Sequence, residues 1–467
     1  MTETLARAPH AADDTRITIC DPRSGELVGT LTPADADTID DACERARSAF
    51  GSWSRTAPAA RGEALAAAAS VLEDHADELA TLTQRETGKP FDDARGGVLA
   101  GVGTLRQYAE LGPLHQGSRL AGDPSAVDYS IPEPRGVVAV ITPWNDPVAI
   151  ACGLIGAAVV TGNAVVHKPS ERCPHVGERL GELLSPAFPP DVLRTLTGGG
   201  ETGAALVSRP QVAMIAHVGS TATGERIARA AALTGAYVIR ENGGNDPLIV
   251  DAGVDPTWAA QQAALGSFAN SGQICTSVER IYVHDDVADA FVDALCAEAR
   301  EWTSNGALGP LVDERMRDEV HRQLTESVNL GARVLVGGTI PEGPGSAYPA
   351  TVVVDCTAVM PVFSEETFGP IAAVQRVTSF DDAIAAASDD RYGLAATVLT
   401  PSLEHASRSA AELPVGTVKV NAVFGGAPGG SAEPRGASGS GFGFGPKLLD
   451  EMTRLKVVHM GTAEVAS

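Results

Sequence analysis

The sequence has no CxxC pair, no apolar leader and no hydrophobic run long enough to cross a bilayer. Its seven cysteines are Cys20, Cys43, Cys152, Cys173, Cys275, Cys296 and Cys356. An odd count without metal-ligand spacing gives no zinc site and no disulfide framework, and it fits free thiols in a reducing cytoplasm. No metal is expected. The opening "MTETLARAPHAADDTRITIC" lacks the apolar core of a secretory signal. The longest apolar run, "VAIACGLIGAAVV" from Val148, reads as a buried helix rather than a membrane span. Basic residues are also scarce: 35 Lys and Arg stand against 59 Asp and Glu, a formal net charge of −24. So acidic a surface repels phosphate backbones and argues against nucleic acid as the main partner. A nucleotide cofactor is not excluded, because helix ends and backbone amides bind phosphate without net positive charge.

What is present is a long chain of ordinary globular balance. Its 467 residues exceed one simple core, so two or three domains are expected. Residues 34–111 are helical in pattern, with Leu65, Val71, Leu72, Leu79 and Leu82 recurring near every third or fourth position. From Arg135 short β-rich runs, "GVVAVITPW", "NAVVHKPS", "VLRTLTG", "AMIAHVGS" and "AYVIREN", alternate with helical ones. That alternation predicts a parallel, doubly wound sheet with both faces covered. A second α/β region is expected from about Asp246 to Leu413, with strands at "ERIYVH", "ARVLVGG" and "TVVVD". The glycine-dense stretch "FGGAPGGSAEPRGASGSGFGFGP" reads as a long functional loop.

Several signals point to chemistry. In "NSGQICTSVER" Cys275 is flanked by small and hydroxyl residues rather than by the apolar neighbours of a core thiol. "GSTATG" links a strand to a helix, where Gly219 and Ser220 suit a phosphate at a helix N-terminus. "VVHKPSE" places Lys168 and Glu171 at the carboxyl edge of the sheet, where open α/β folds bind ligands. "PWNDP" puts Trp144, Asn145 and Asp146 at another strand end, and an Asn amide there is able to donate to an oxyanion. "ENGGNDP" sets Glu241 just after a strand, and "EETFGP" sets Glu366 and Phe368 before a turn.

Taken in order, these motifs resemble the aldehyde dehydrogenase family. The resemblance runs from "ETGKP" at Glu86 to the closing "MTRLKVV", and Glu241 lies 34 positions before Cys275. It implies NAD-dependent oxidation of an aldehyde to a carboxylic acid, with NADP also possible. Cys275 would attack the carbonyl, Asn145 would hold the oxyanion, and Glu241 would activate the water that hydrolyses the thioester. Lys168 and Glu171 would contact the adenosine ribose, Gly219 and Ser220 the pyrophosphate, and Glu366 the nicotinamide ribose, with Trp144 and Phe368 beside the cofactor. Glu171 is expected to repel a 2′-phosphate and so favour NAD. The implied layout is a Rossmann-like coenzyme domain at 1–111 and 135–243, an α/β catalytic domain at 244–435, and a small β arm at 112–134 and 436–467. The arm implies a homodimer or homotetramer. Two rivals stand beside this reading: a relative that passes the acyl group to CoA, and a non-catalytic nucleotide-binding protein.

The sequence also departs from the family's usual pattern. Asp146 stands where phenylalanine is common. Gapless counting puts an expected aromatic and lysine on Gly153 and Leu154. Ala432 and Lys419 replace further aromatics, while Asn421 is kept. These changes predict a wider, more polar pocket that includes Asp146, Thr276 and Ala432, and a hydroxylated, amino or semialdehyde substrate. Asp146 is expected either to meet the substrate or to pair with an arginine such as Arg435.

Overall fold

The computed structural model describes residues 16–427 and 429–463. Residues 1–15 of the expected coenzyme segment, Pro428 of the glycine-dense stretch and 464–467 of the expected arm lie outside the described residues. Among the described residues the chain forms two large sheets and three two-stranded ones.

The first sheet runs in the order Gly439–Ser440, Tyr237–Glu241, Val212–Val218, Val137–Ile141, Ala164–Lys168, Leu193–Thr195. Its five longer-established strands are parallel, and Gly439–Ser440 joins antiparallel at the edge. The central strand "VVAVI" (Val137–Ile141) is buried at every position, as a strand sandwiched between helical layers must be. The chain winds outward from Val137–Ile141 to Leu193–Thr195, then returns to lay Val212–Val218 on the other side of Val137–Ile141. The switch point therefore falls between the ends of those two strands, where a crevice opens.

The second sheet has the order Arg333–Val336, Thr351–Val354, Ile371–Val377, Val278–His284, Asp246–Val250, Ala395–Leu399, Thr417–Val420. All its pairs are parallel except the first. Each large sheet carries an apolar cluster on either face, giving four cores. The run from Val148 is the helix Pro147–Val160, buried on nearly all sides against the first sheet.

Thr453–Met460 pairs antiparallel with Val127–Pro134 over eight residues in unbroken register. Within the expected arm segment 436–467, Thr453–Met460 is the stretch that joins this ribbon among the described residues. Gly439–Ser440 extends the first sheet instead, and Leu448, Leu449 and Met452 are buried in its core. Among the described residues no helix is long and apolar enough to cross a membrane.

Candidate active site

Three cavities lie where the carboxyl edge of the first sheet meets the amino ends of the strands of the second. The outermost, ≈ 400 Å³, is lined by Ile141, Pro143, Trp144, Lys168, Glu171, Gly203, His217, Gly219 and Ser220. The middle one, ≈ 180 Å³, is bounded by Trp144, Asn145, Arg172, Gly219, Ser220, Glu241, Cys275, Glu366 and Phe368. The innermost and largest, ≈ 930 Å³, is lined among others by Tyr108, Glu241, Cys275, Thr276, Lys419, Phe424, Ala432 and Phe444. Cys275 and Glu241 line both the second and the third, so they stand where a cofactor side and a substrate side join.

Cys275 follows a short 3-10 segment, Ala269–Gly272, in which Asn270, Ser271 and Gly272 have φ of 48°, 58° and 73°. Three successive left-handed residues reverse the chain sharply after the helix Pro256–Phe268. The turn is held from several sides. Ser271 Oγ donates to Gly309 O at 2.7 Å and Ser277 Oγ to Gly272 O at 3.0 Å. Gln273 accepts the Val312 N–H at 2.9 Å and donates to Asn270 O at 3.1 Å. Gly272 has no room for a side chain, because a Cβ would come within 2.2 Å of Gly369 O. Asn145 reaches this turn from the first sheet: its Nδ2 donates to Gln273 O at 3.0 Å.

The electrostatics are those of a partly buried, acidic site. Burial pushes the Cys275 thiol up to about 12, and the nearby Glu241, Asp246 and Glu366 push it the same way. Burial raises Glu241 to about 8, against a 2.9 Å hydrogen bond from the Gly443 N–H that favours the carboxylate. Glu366 also rises to about 8 by burial, with a contribution from Glu279, while accepting the Gly244 N–H at 3.1 Å. Glu279 accepts the N–H groups of Thr367 and Phe368 at 2.6 and 3.0 Å and so fixes the "EETFGP" loop. Phe368, with φ of 52°, turns its ring edge-on to Trp144 at 5.6 Å.

The outer cleft fits a dinucleotide. Ser220 caps the helix Thr221–Thr234, leaving that helix's first N–H groups facing the cavity. Gly219 and Gly243 keep the walls thin, since a Cβ would lie 2.8 Å from the His217 ring and 2.0 Å from Glu366 respectively. Lys168 is buried, its Nζ donating to Pro169 O and Gly198 O at 2.6 and 2.9 Å, with Glu171 beside it in the lining.

The family model described as "Aldehyde dehydrogenase family" matches residues 10–458. The chain belongs to the aldehyde dehydrogenase family. It is 34% identical over 429 residues to an enzyme named aminoaldehyde dehydrogenase 1, peroxisomal, of Malus domestica, covering 87% of this chain and 84% of that one. A solved 3,6-anhydro-L-galactose dehydrogenase in complex with NADP superposes with a TM-score of 0.93 at 32% identity, covering 97% of both chains. An indole-3-acetaldehyde dehydrogenase of P. syringae, solved with NAD+ bound, gives 0.93 at 32% identity, covering 98% of this chain and 95% of that one.

Against the sequence expectations, the structure gathers Trp144, Asn145, Gly219, Ser220, Glu241, Cys275, Glu366 and Phe368 around the middle cavity. It brings Lys168 and Glu171 to the outer one, and Thr276 and Ala432 to the inner one. Asp146 is the exception. Its carboxylate pairs with Lys89 Nζ at 3.3 Å, not with Arg435, and it lies outside the lining of the inner cavity. Asp146 holds the N-cap position of the helix Pro147–Val160 without a side-chain cap hydrogen bond, and its carboxylate lies beside Gly97 of the neighbouring helix Phe91–Leu111. Leu154 is fully buried in the apolar core, so no cation reaches Glu241 from that position. Tyr108, Phe424 and Phe444 supply aromatic walls that counting from family positions did not find. Gly443, the partner of Glu241, was hidden in the glycine-dense loop; the alternation "GFGFG" was the available signal, since it alternates backbone approach with a ring.

Proposed function

We propose that the chain oxidises an aldehyde to a carboxylic acid through a covalent intermediate on Cys275, using NAD(P). The observation that carries this is the position of Cys275 and Glu241 at the junction of the two inner cavities, with the Asn145 amide hydrogen-bonded to the turn before Cys275. The thiol passes its proton to a solvent water as the sulfur attacks the aldehyde carbon, and the carbonyl oxygen becomes an oxyanion able to accept hydrogen bonds from the Asn145 amide. Bound NAD(P) supplies the hydride acceptor that converts the thiohemiacetal to a thioester. Glu241, once deprotonated, takes a proton from water as that water attacks the thioester carbon; the C–S bond then breaks and the acid leaves. The first sheet serves the nucleotide, the second carries the nucleophile, and the ribbon of Val127–Pro134 and Thr453–Met460 pairs subunits. The site favours a polar aldehyde, and the seven free cysteines fit a reducing compartment such as the cytoplasm.

The test is NADH or NADPH formation across short alkyl, aromatic, anionic and cationic aldehydes. Turnover of none of them, with nucleotide still bound, overturns the reading in favour of a non-catalytic nucleotide-binding protein. Release of acyl-CoA in preference to free acid overturns the hydrolytic step.

Two expectations follow from the surroundings of the site. Glu171 beside Lys168 opposes a 2′-phosphate, so kcat/KM is expected to be higher with NAD than with NADP by about tenfold. The opposite ratio would refute that role. The ribbon exposes Leu455, Val457, Met460 and Val127 to solvent at 71%, 66%, 52% and 56%. Apolar residues so displayed mark an interface between copies. Leu455→Asp with Val457→Asp is expected to shift the species seen by analytical ultracentrifugation to monomer; an unchanged dimer or tetramer removes the ribbon from the interface.

A further inference from the structure

The inner cavity contains a cation that the chemistry described so far does not use. Lys419 lies on the edge strand Thr417–Val420, opposite Thr397 of its neighbour. Successive side chains of a strand point to opposite faces. Val418 packs on the apolar cluster of the second sheet, and Lys419 enters the cavity that also holds Cys275, Thr276 and Glu241. Its Nζ donates to Val423 O at 2.6 Å and lies 5.7 Å from the centre of the Phe424 ring. An ammonium has three N–H bonds. The two not given to Val423 have no hydrogen-bonded acceptor among the described residues. Buried Asp246 and Cys275 are its electrostatic neighbours; Asp246 Oδ1 accepts the Ala395 N–H at 3.1 Å, and its Oδ2 has no hydrogen-bond partner among the described residues.

Of the other charged side chains of the cavity, Glu241 stands beside the thiol and the rest lie farther off. Arg106 is tied to Glu73 by two hydrogen bonds on the exposed face, and Glu110 belongs to the same helix, Phe91–Leu111. Close to the thiol the lining thus offers one cation, on the substrate side of Cys275. A half-buried donor of that kind gains from an oxygen acceptor on the ligand and opposes a second ammonium.

We propose that Lys419 determines substrate class, donating a hydrogen bond to a hydroxyl or carboxylate oxygen on the aldehyde chain and excluding aminoaldehydes. This rests on the aldehyde-oxidising reading and narrows it. The polar candidates thereby contract from hydroxylated, amino and semialdehyde compounds to those bearing oxygen. A tryptophan at this position would offer a flat apolar wall; the lysine offers a fixed donor.

The experiment compares butanal, glyceraldehyde, succinic semialdehyde and aminobutanal as substrates of the wild type, Lys419→Met and Lys419→Gln. The wild type is expected to prefer one or both oxygen-bearing aldehydes to butanal by about tenfold or more in kcat/KM, with aminobutanal the poorest. Lys419→Met is expected to erase that preference while butanal stays within about threefold of wild type, as befits loss of one contact rather than of the fold. Lys419→Gln, which keeps a donor, is expected to retain part of the hydroxyl preference and lose the carboxylate one. A uniform loss across all four substrates, or a wild type that favours aminobutanal, overturns the proposal. Should no aldehyde be oxidised, the aldehyde-oxidising reading fails by itself and ligand protection tests Lys419 separately. Succinate or glycerate slowing the alkylation of Cys275 by iodoacetamide in the wild type, but not in Lys419→Met, upholds the role; equal behaviour of the two proteins rejects it.

Discussion

Replacing Cys275 by alanine is expected to abolish aldehyde oxidation, with kcat falling by about 10⁴-fold or more, while NAD(P) still binds. The size follows from the site. The described residues place no second thiol in the lining of either inner cavity, and Glu241 and Asn145 have nothing to act on without a covalent adduct. Nucleotide binding should persist because the outer cleft is built from Lys168, Glu171, Gly219 and Ser220, on the other sheet. Titration calorimetry with NAD beside the turnover assay checks both halves. Residual turnover above about a hundredth of wild type would show that the thiol is not the nucleophile.

Glu241→Gln is expected to separate the two half-reactions. Attack by Cys275 and hydride transfer should still occur once, giving a burst of about one NADH per subunit, while steady-state turnover falls by about 10²–10⁴. Mass spectrometry should then find the acyl group on the peptide that contains Cys275. Loss of the burst as well would mean that Glu241 is needed before the thioester forms. The wild type adds a pH test. Burial raises the Glu241 carboxyl to about 8, so the base is mostly protonated at pH 6 and mostly ionised at pH 9. Hydrolysis should therefore climb through that window, with a midpoint near 8. A flat profile would place the limiting step elsewhere.

The doubly wound sheet was legible because its strands are short, apolar and bounded by helical runs; "VVAVI" and "AVVHK" emerge as fully buried parallel strands. Lys168, Ser220 and Glu241 were legible for the same reason, since a strand end can be counted along the chain. What the sequence could not show was direction. Asp146 directly follows Asn145, yet its carboxylate faces Lys89. Lys419 could be counted as a replacement, but only strand pairing reveals that it enters the cavity while Val418 faces the core. The pairing of Gly439–Ser440 with the first sheet was not legible, because strands of two residues carry no periodicity. Their pairing depends on an edge made nearly two hundred residues earlier.

That late pairing bears on how the protein is made. The N–H that meets Glu241 belongs to Gly443, 202 positions further along the chain, and Gly439–Ser440 covers the open edge beside it. During synthesis the first sheet emerges with Tyr237–Glu241 as a bare, unpaired margin, and it keeps that margin while the whole second sheet is translated. Exposed strand margins invite pairing with other chains. Glu241 thus waits at an unprotected edge while some two hundred further residues are made, and that edge is covered only when Gly439–Ser440 and Gly443 arrive.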